Sequence, residues 1–493
     1  MSKMTNFRSF LVLFVIFLFL LNANARNADR NDDRFSDSGQ PEDTEFVIAA
    51  NAMSFTSKND HSKYKSRGYL TTPSELQEIR SKAIEGIEPY KSSVEHAIAF
   101  AKGLWQWEAP SGRITCLASK SPAYLMKGNT LIYAKALAYH LQEDEQYAHE
   151  VMERITDLLQ ITSFGKPGNS LKPDRQCQLN LSWAIPGFIR AADLLENYHA
   201  WQESDLKYEF QNWLAEIIYP TISFTAETSM SNWGAAATNA CTYIADYLWD
   251  RPDLALVSYN RLDARKRTTA RTPAEAYRHA IELALGRMNG MRSEASGGSS
   301  RACDNDPMTK SMIRPDGGIP DELRRGSTGC SGDRILEDDH SNMYSQTHLE
   351  GLIAQAELLL RRGDKSLYDN IRNDNLVYDL ESPEGNDYQV VLPRGRGSLK
   401  KAVLFILDNP SFQKPRALRS AAEIVHRYYR HPAMLKAVLR KRPTSGGRPL
   451  GFETLTHAFA EGENPGLPPT VSPPRDPGHH DYSADESPEG DLR

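Results

Sequence analysis

Two stretches between Asp316 and Leu352 bring a guanidinium and a phenol close to one helix. They are Asp316-Gly-Gly-Ile-Pro-Asp-Glu-Leu-Arg-Arg-Gly326 and His340-Ser-Asn-Met-Tyr-Ser-Gln-Thr-His-Leu-Glu-Gly-Leu352. An arginine stays protonated and holds a planar carboxylate with two parallel hydrogen bonds, while a phenol near a cation gives or takes a proton at accessible cost. A substrate built of uronic acids requires both. Arg325 and Tyr344 are the residues that would supply them, with Arg324 as the second guanidinium.

Helices have to position these groups. Apolar residues recur at helical spacing in segment after segment, for example Val151, Ile155, Leu158 and Leu159, or Leu349, Leu352, Ile353, Ala356 and Leu360. The pattern predicts helices near 74–103, 127–141, 144–161, 179–198, 203–218, 232–250, 273–290, 341–362 and 415–440, joined by Pro/Gly/Asp-rich connections. Strand-like alternation is scarce, so paired antiparallel helices are expected. Pro186 lies inside 179–198 and predicts a kink or restart there. The connection from Arg292 to His340 is too long and glycine-rich for a plain turn, and loops of that length are usually functional or disordered.

Four segments together resemble the alginate-lyase-like polysaccharide lyases. Leu179-Asn-Leu-Ser-Trp-Ala-Ile-Pro-Gly-Phe-Ile-Arg-Ala-Ala-Asp-Leu-Leu195 is similar to their Trp-Ala-Leu-Pro…Ile-Arg-Ala…Asp-Leu-Leu helix, and Ser231-Asn232-Trp233-Gly234 to their Asn-Asn-Trp/His helix start. The Asp316–Gly326 run is similar to their Asp-Gly…Pro-x-Glu-x-x-Arg-Gly segment, and Tyr344…Leu349…Leu352 to the tyrosine-led helix after it. The match spans residues 120–360, roughly. It implies an all-α toroid of helical hairpins and β-elimination on a 1,4-linked polyuronate such as alginate or glucuronan. The sequence departs from the family where some members carry a histidine after the asparagine, since Trp233 stands there. The link from Arg325 to Tyr344 is also long, which brings His340 forward as an alternative.

The resemblance implies the catalytic set Asn232, His279, Arg325 and Tyr344. A C5 proton beside an ionised carboxylate is poorly acidic, so fixed donors must meet the charge that develops when it leaves. Asn232 at a helix start and Arg325 can provide them; a plain helix cap and a surface ion pair with Asp321 or Glu322 are their structural alternatives. Tyr344 is the proton carrier, unless it is an ordinary core tyrosine. His279 is the histidine candidate from its place before Arg325, with His340 and His348 as alternatives, and a lone helical histidine is more often structural. Trp183, Trp233 and Tyr243 could stack on sugar faces, while Arg175, Arg314, Lys172, Arg324 and His340 could meet substrate.

Residues 1–25 carry Lys3 and Arg8, an apolar run from Phe10 to Leu21 and Ala23-Asn24-Ala25, the pattern of a secretory signal peptide. Export, a polar leader over 26–68, one domain over 69–462 and a Pro-rich tail over 463–493 are therefore expected. No later segment has the apolar length of a membrane span. The net charge of −6 gives no reason to expect nucleic acid, so the expected partner is an acidic polysaccharide met locally. In an exported chain five cysteines suggest two bridges and a spare thiol: Cys303 with Cys330 first, Cys116 with Cys177 second, and Cys241 free and buried. No metal or cofactor is implied; Asp304-Asn305-Asp306 lacks the remaining ligands of a calcium loop. Two rival functions share these residues. A glycoside hydrolase would use carboxylates among Asp316, Asp321 and Glu322, and a glycan-binding protein would have no turnover at all.

Overall fold

The computed structural model describes residues 66–116, 123–165, 175–259, 268–289, 291–293, 313–314, 316–323, 339–370, 388–390, 397–408, 418–439, 441–445 and 449–470. In chain order the helices are α1 (Pro73–Ile84), α2 (Tyr90–Ala101), α3 (Ala123–Met126), α4 (Gly128–Gln142), α5 (Glu145–Leu159), α6 (Arg175–Leu194), α7 (His199–Glu203), α8 (Leu206–Trp213), α9 (Tyr219–Thr228), α10 (Asn232–Tyr247), α11 (Pro273–Asn289), α12 (Pro320–Leu323), α13 (Asp339–Arg361), α14 (Ser366–Asp369), α15 (Leu399–Asp408), α16 (Leu418–Tyr429), α17 (Pro432–Leu439) and α18 (Glu453–His457). Among the described residues three two-stranded ribbons decorate them: parallel β1 (Gly112–Ile114) with β2 (Ile161–Phe164), and antiparallel β3 (Leu256–Tyr259) with β4 (Thr268–Arg271) and β5 (Met291–Ser293) with β6 (Tyr388–Val390).

Local chemistry explains the starts and stops. Thr72 and Glu75 exchange backbone hydrogen bonds in a capping box, with Pro73 behind the cap, so α1 begins where it does. Thr272 and Glu275 do the same for α11. The single helix expected over 74–103 is two, because Gly86 takes a left-handed φ of 78° and Pro89 follows. Helix α6 runs on through Pro186, so of the kink or restart expected there the restart does not occur. Its Gly187 serves a close approach, since a Cβ would stand 2.9 Å from the Asn129 Cβ and carbonyl oxygen on α4.

The architecture is an α/α toroid. Helices α4, α6, α10, α13 and α16 run parallel, as contacts keeping sequence order show. Asn129 meets Gly187 near the start of α4, and the His140 ring meets the Leu194 carbonyl near its end, at 2.7 Å. On the next pair, Asn232 meets Thr347, Thr242 meets Gln355 and Asp246 meets Arg362. At the start of α16 the Leu418 N–H donates to Gln346 on α13. Helices α18 and α2 close the circle between α16 and α4, while α5, α9, α11, α15 and α17 pack outside. The starts of the parallel helices therefore share one end of the ring.

The opposite end is fastened by the entering chain. Asp193 accepts hydrogen bonds from the Ser66 hydroxyl and the Arg67 and Gly68 amides, at 2.6–2.9 Å. Asp246, fully buried, is clamped by Arg67 and Arg362. Ser66 to Gly68 thus belong to the helical unit, although their composition reads as leader, and Glu463 does too through Lys82 and Tyr90. Among the described residues no helix is long and apolar enough to cross a membrane. Residues 1–25, expected as a signal peptide, lie outside the described residues.

A disulfide joins Cys116 to Cys177, whose Cα atoms are 4.8 Å apart, and Cys241 is free and buried. The β1–β2 ribbon explains this pairing, because it brings Ile114 against Gly165 and the Cys177 sulfur against the Ile114 carbonyl. Cys303 and Cys330 lie outside the described residues. The bridge closes 61 residues of chain, worth about 4 kcal/mol by loop-closure entropy. Replacing both cysteines by serine should lower the denaturant midpoint accordingly, and an unchanged midpoint would mean the bridge contributes nothing.

Candidate active site

Ser231, not Asn232, caps α10: its hydroxyl accepts from the Trp233 amide. Asn232 is the first helical residue, and its side chain and backbone are thereby released for other work. The Asn232 backbone N–H donates to the Glu322 carboxylate on α12, and its side-chain amide donates to the Thr347 hydroxyl on α13 at 3.1 Å. Thr347 in turn bonds back to the Tyr344 carbonyl at 3.0 Å. Glu322 is wholly buried and also binds His348 through Nδ1 at 2.9 Å. Tyr344, Thr347 and His348 stand at helical spacing on one face of α13, Tyr344 half-buried at the margin.

Backbone proximity holds this meeting in register. A Cβ at Gly351 would lie 2.9 Å from the Ala235 backbone carbon, and one at Gly234 would collide with the Ser229 carbonyl. Both glycines are required for α10 to lie this close to α13 and to the turn before it. Beside Asn232, Trp233 and Met126 cover a small apolar cluster of Leu179, Trp183 and Ala236, separate from the main core. Trp183 is buried there, whereas Trp233 keeps part of its surface exposed.

Other expected residues fall elsewhere. His279 is bound into an ion-pair cluster, 3.3 Å from Glu227 on α9 and 3.8 Å from Glu282 on its own helix. Burial opposes a charge on it, but the two carboxylates outweigh burial and raise its pKa. Neither Glu227 nor Glu282 belongs to the group around Asn232. Tyr243 does not face a sugar; it is fully buried and stacks on Tyr69 with ring centroids 4.7 Å apart. Arg314 pairs with Asp316. Arg175 begins α6 and His340 lies in the first turn of α13, both with side chains outside the described residues. Arg324, Arg325 and Lys172 are also outside them, the arginines directly following Leu323 of α12 in sequence. Among the described residues no cluster of three or more His, Cys, Asp or Glu side chains is placed to hold a metal ion.

The structure therefore links Asn232 to Thr347 and, through Glu322, to His348, with Tyr344 one turn before Thr347 on α13. The contacts of Asn232 with Thr347 and of Glu322 with His348 are not expected from sequence; the spacing Tyr344, Thr347, His348 on one helix face is the available signal.

A solved structure of similar fold is an alginate lyase from Bacteroides ovatus. It is 13% identical, with a TM-score of 0.41, and the alignment covers 76% of this chain and 99% of that one. At that distance the likeness assigns no residue. No protein-family model and no curated protein matches the sequence.

Proposed function

We propose that this chain is an exported polysaccharide lyase that cleaves a 1,4-linked polyuronate, such as alginate or glucuronan, by β-elimination. The supporting observation is that Asn232 and a histidine held by a buried carboxylate are joined at the end of the ring where the parallel helices begin, with Tyr344 one turn ahead of Thr347 on the same helix. Helix starts favour anions, and an amide steadied by Thr347 is a donor whose direction is set before substrate arrives. Tyr344 takes the C5 proton and hands it to O4 as the C4–O4 bond breaks, while the pair released at C5 forms the C4–C5 double bond. Asn232 and Arg325 meet the charge that gathers on the carboxylate.

His348 fills the histidine role in this proposal, in place of His279. Its Nδ1 is fixed by Glu322, which sets the ring plane, as an orienting carboxylate does for a working histidine. The same contacts weigh against a hydrolase. Glu322 is buried and engaged by the Asn232 amide and His348, and Asp316 is engaged by Arg314, so neither resembles a carboxylate waiting across a glycosidic bond.

The test is incubation of folded protein with alginate and with glucuronan while following the ultraviolet absorbance of the conjugated uronate product. A rise is expected on one of them. New reducing ends without absorbance would indicate hydrolysis, and neither signal with retained binding would indicate a glycan-binding protein; each overturns the lyase proposal.

A further inference from the structure

The chain is acidic overall, at −6, yet residues 414–448 hold ten Lys or Arg against a single carboxylate, Glu423. That carboxylate is itself neutralised, because Arg442 binds both of its oxygens at 2.6 and 2.9 Å. Among the described cations Arg427 is half-buried and donates to the Thr456 carbonyl, while three others form a solvent-facing wall. Arg430 is exposed at the end of α16, Lys436 is exposed on α17, and Lys441 is exposed just beyond it. Among the described residues neither Lys436 nor Lys441 is paired with a carboxylate. Helix α15, which packs on α17, adds Lys400 against the Tyr429 ring.

The direction of this stripe matters as much as its charge. Helix α17 starts at the far end of the ring, immediately after α16 ends, and doubles back along α16. It delivers Lys441 and Arg442 to the level of Glu423, five residues and so about 7.5 Å along α16 from Leu418. The Leu418 amide donates to Gln346, two residues past Tyr344. The positive stripe therefore ends beside the candidate cleft. A field of one sign along a path raises the local concentration of a polyanion and steers it.

We propose that this wall is a docking track for an acidic polysaccharide chain, holding the polymer outside the cleft while one unit reacts. The proposal deepens the lyase reading and rests on it for the direction of travel, whereas charge-dependent binding is a property of the wall alone. Lys436 and Lys441 are solvent-exposed and touch none of the residues placed in the cleft, so reversing them should leave the fold and the chemistry intact.

The experiment compares the full chain with its K436E/K441E variant by titration against long alginate at several salt concentrations. Alginate affinity should fall at least about tenfold at low salt in the variant, with a shallower salt dependence. Turnover of a short oligouronate should stay near the parent value. Unchanged affinity and salt dependence overturn the track, as does an equal loss on a neutral polysaccharide. Vesicles containing phosphatidylserine are the second arm: if they bind as tightly as alginate and lose binding equally, the occupant is a lipid surface and the proposal falls. A chain inactive on every polyuronate refutes the lyase reading but leaves this binding measurement to be decided separately.

Discussion

Tyr344→Phe is expected to bind polyuronate as the parent does and to turn it over at least about 100-fold more slowly, the scale of a positioned acid–base group. The substitution removes one oxygen from a half-buried ring at the margin of α13, so packing is preserved and the loss should fall on kcat with KM nearly unchanged. Steady-state rates read by ultraviolet product, with binding measured by affinity electrophoresis, separate the two. Turnover within a few-fold of the parent would remove Tyr344 from the chemistry. His279→Gln is the matching control. Its side chain is engaged with Glu227 and Glu282, so it should alter stability while leaving turnover close to the parent.

The largest effect on stability is expected from Asp246→Asn. Burial alone would raise the Asp246 pKa, but the guanidiniums of Arg362 and Arg67 outweigh it and hold the carboxyl well below the usual range. Removing that charge leaves two cations packed against an uncharged group in the interior, at a cost of about 3–5 kcal/mol. The pH dependence has a definite sign. A carboxyl whose folded pKa is depressed stabilises the protein above its unfolded value and loses that contribution as pH falls toward the folded one. Denaturant midpoints should therefore drop below about pH 4 in the parent, and that part of the acid sensitivity should be missing in the variant. Equal midpoints at neutral pH would show that the clamp is energetically idle.

Helical periodicity made much of this fold legible, and the failures have physical causes. Helix α9 went unseen because Pro220 and a run of β-branched residues obscure a segment that tertiary packing nevertheless makes helical. The seam at Ser66–Gly68 was read as leader because its three residues are small or charged; they are ordered by Asp193 and Asp246, which lie more than 120 positions away. Pairings of that separation leave no local trace. The motif residues Asn232 and Tyr344 fall near the starts of the neighbouring helices α10 and α13. The partnership of Glu322 with His348, 26 positions apart, does not show, because the chain between them includes a connection with no periodic pattern to fix its path.

Where Gly351 lies against Ala235, α10 and α13 touch main chain to main chain, with no side chain between them to yield. The separation of these two helices is in that respect a backbone dimension, as hard to retune by point substitution as a strand spacing. Selectivity among sugar acids would then have to be written in the segments leading into the parallel helices, and an engineer seeking a new substrate should vary those and leave the glycine untouched.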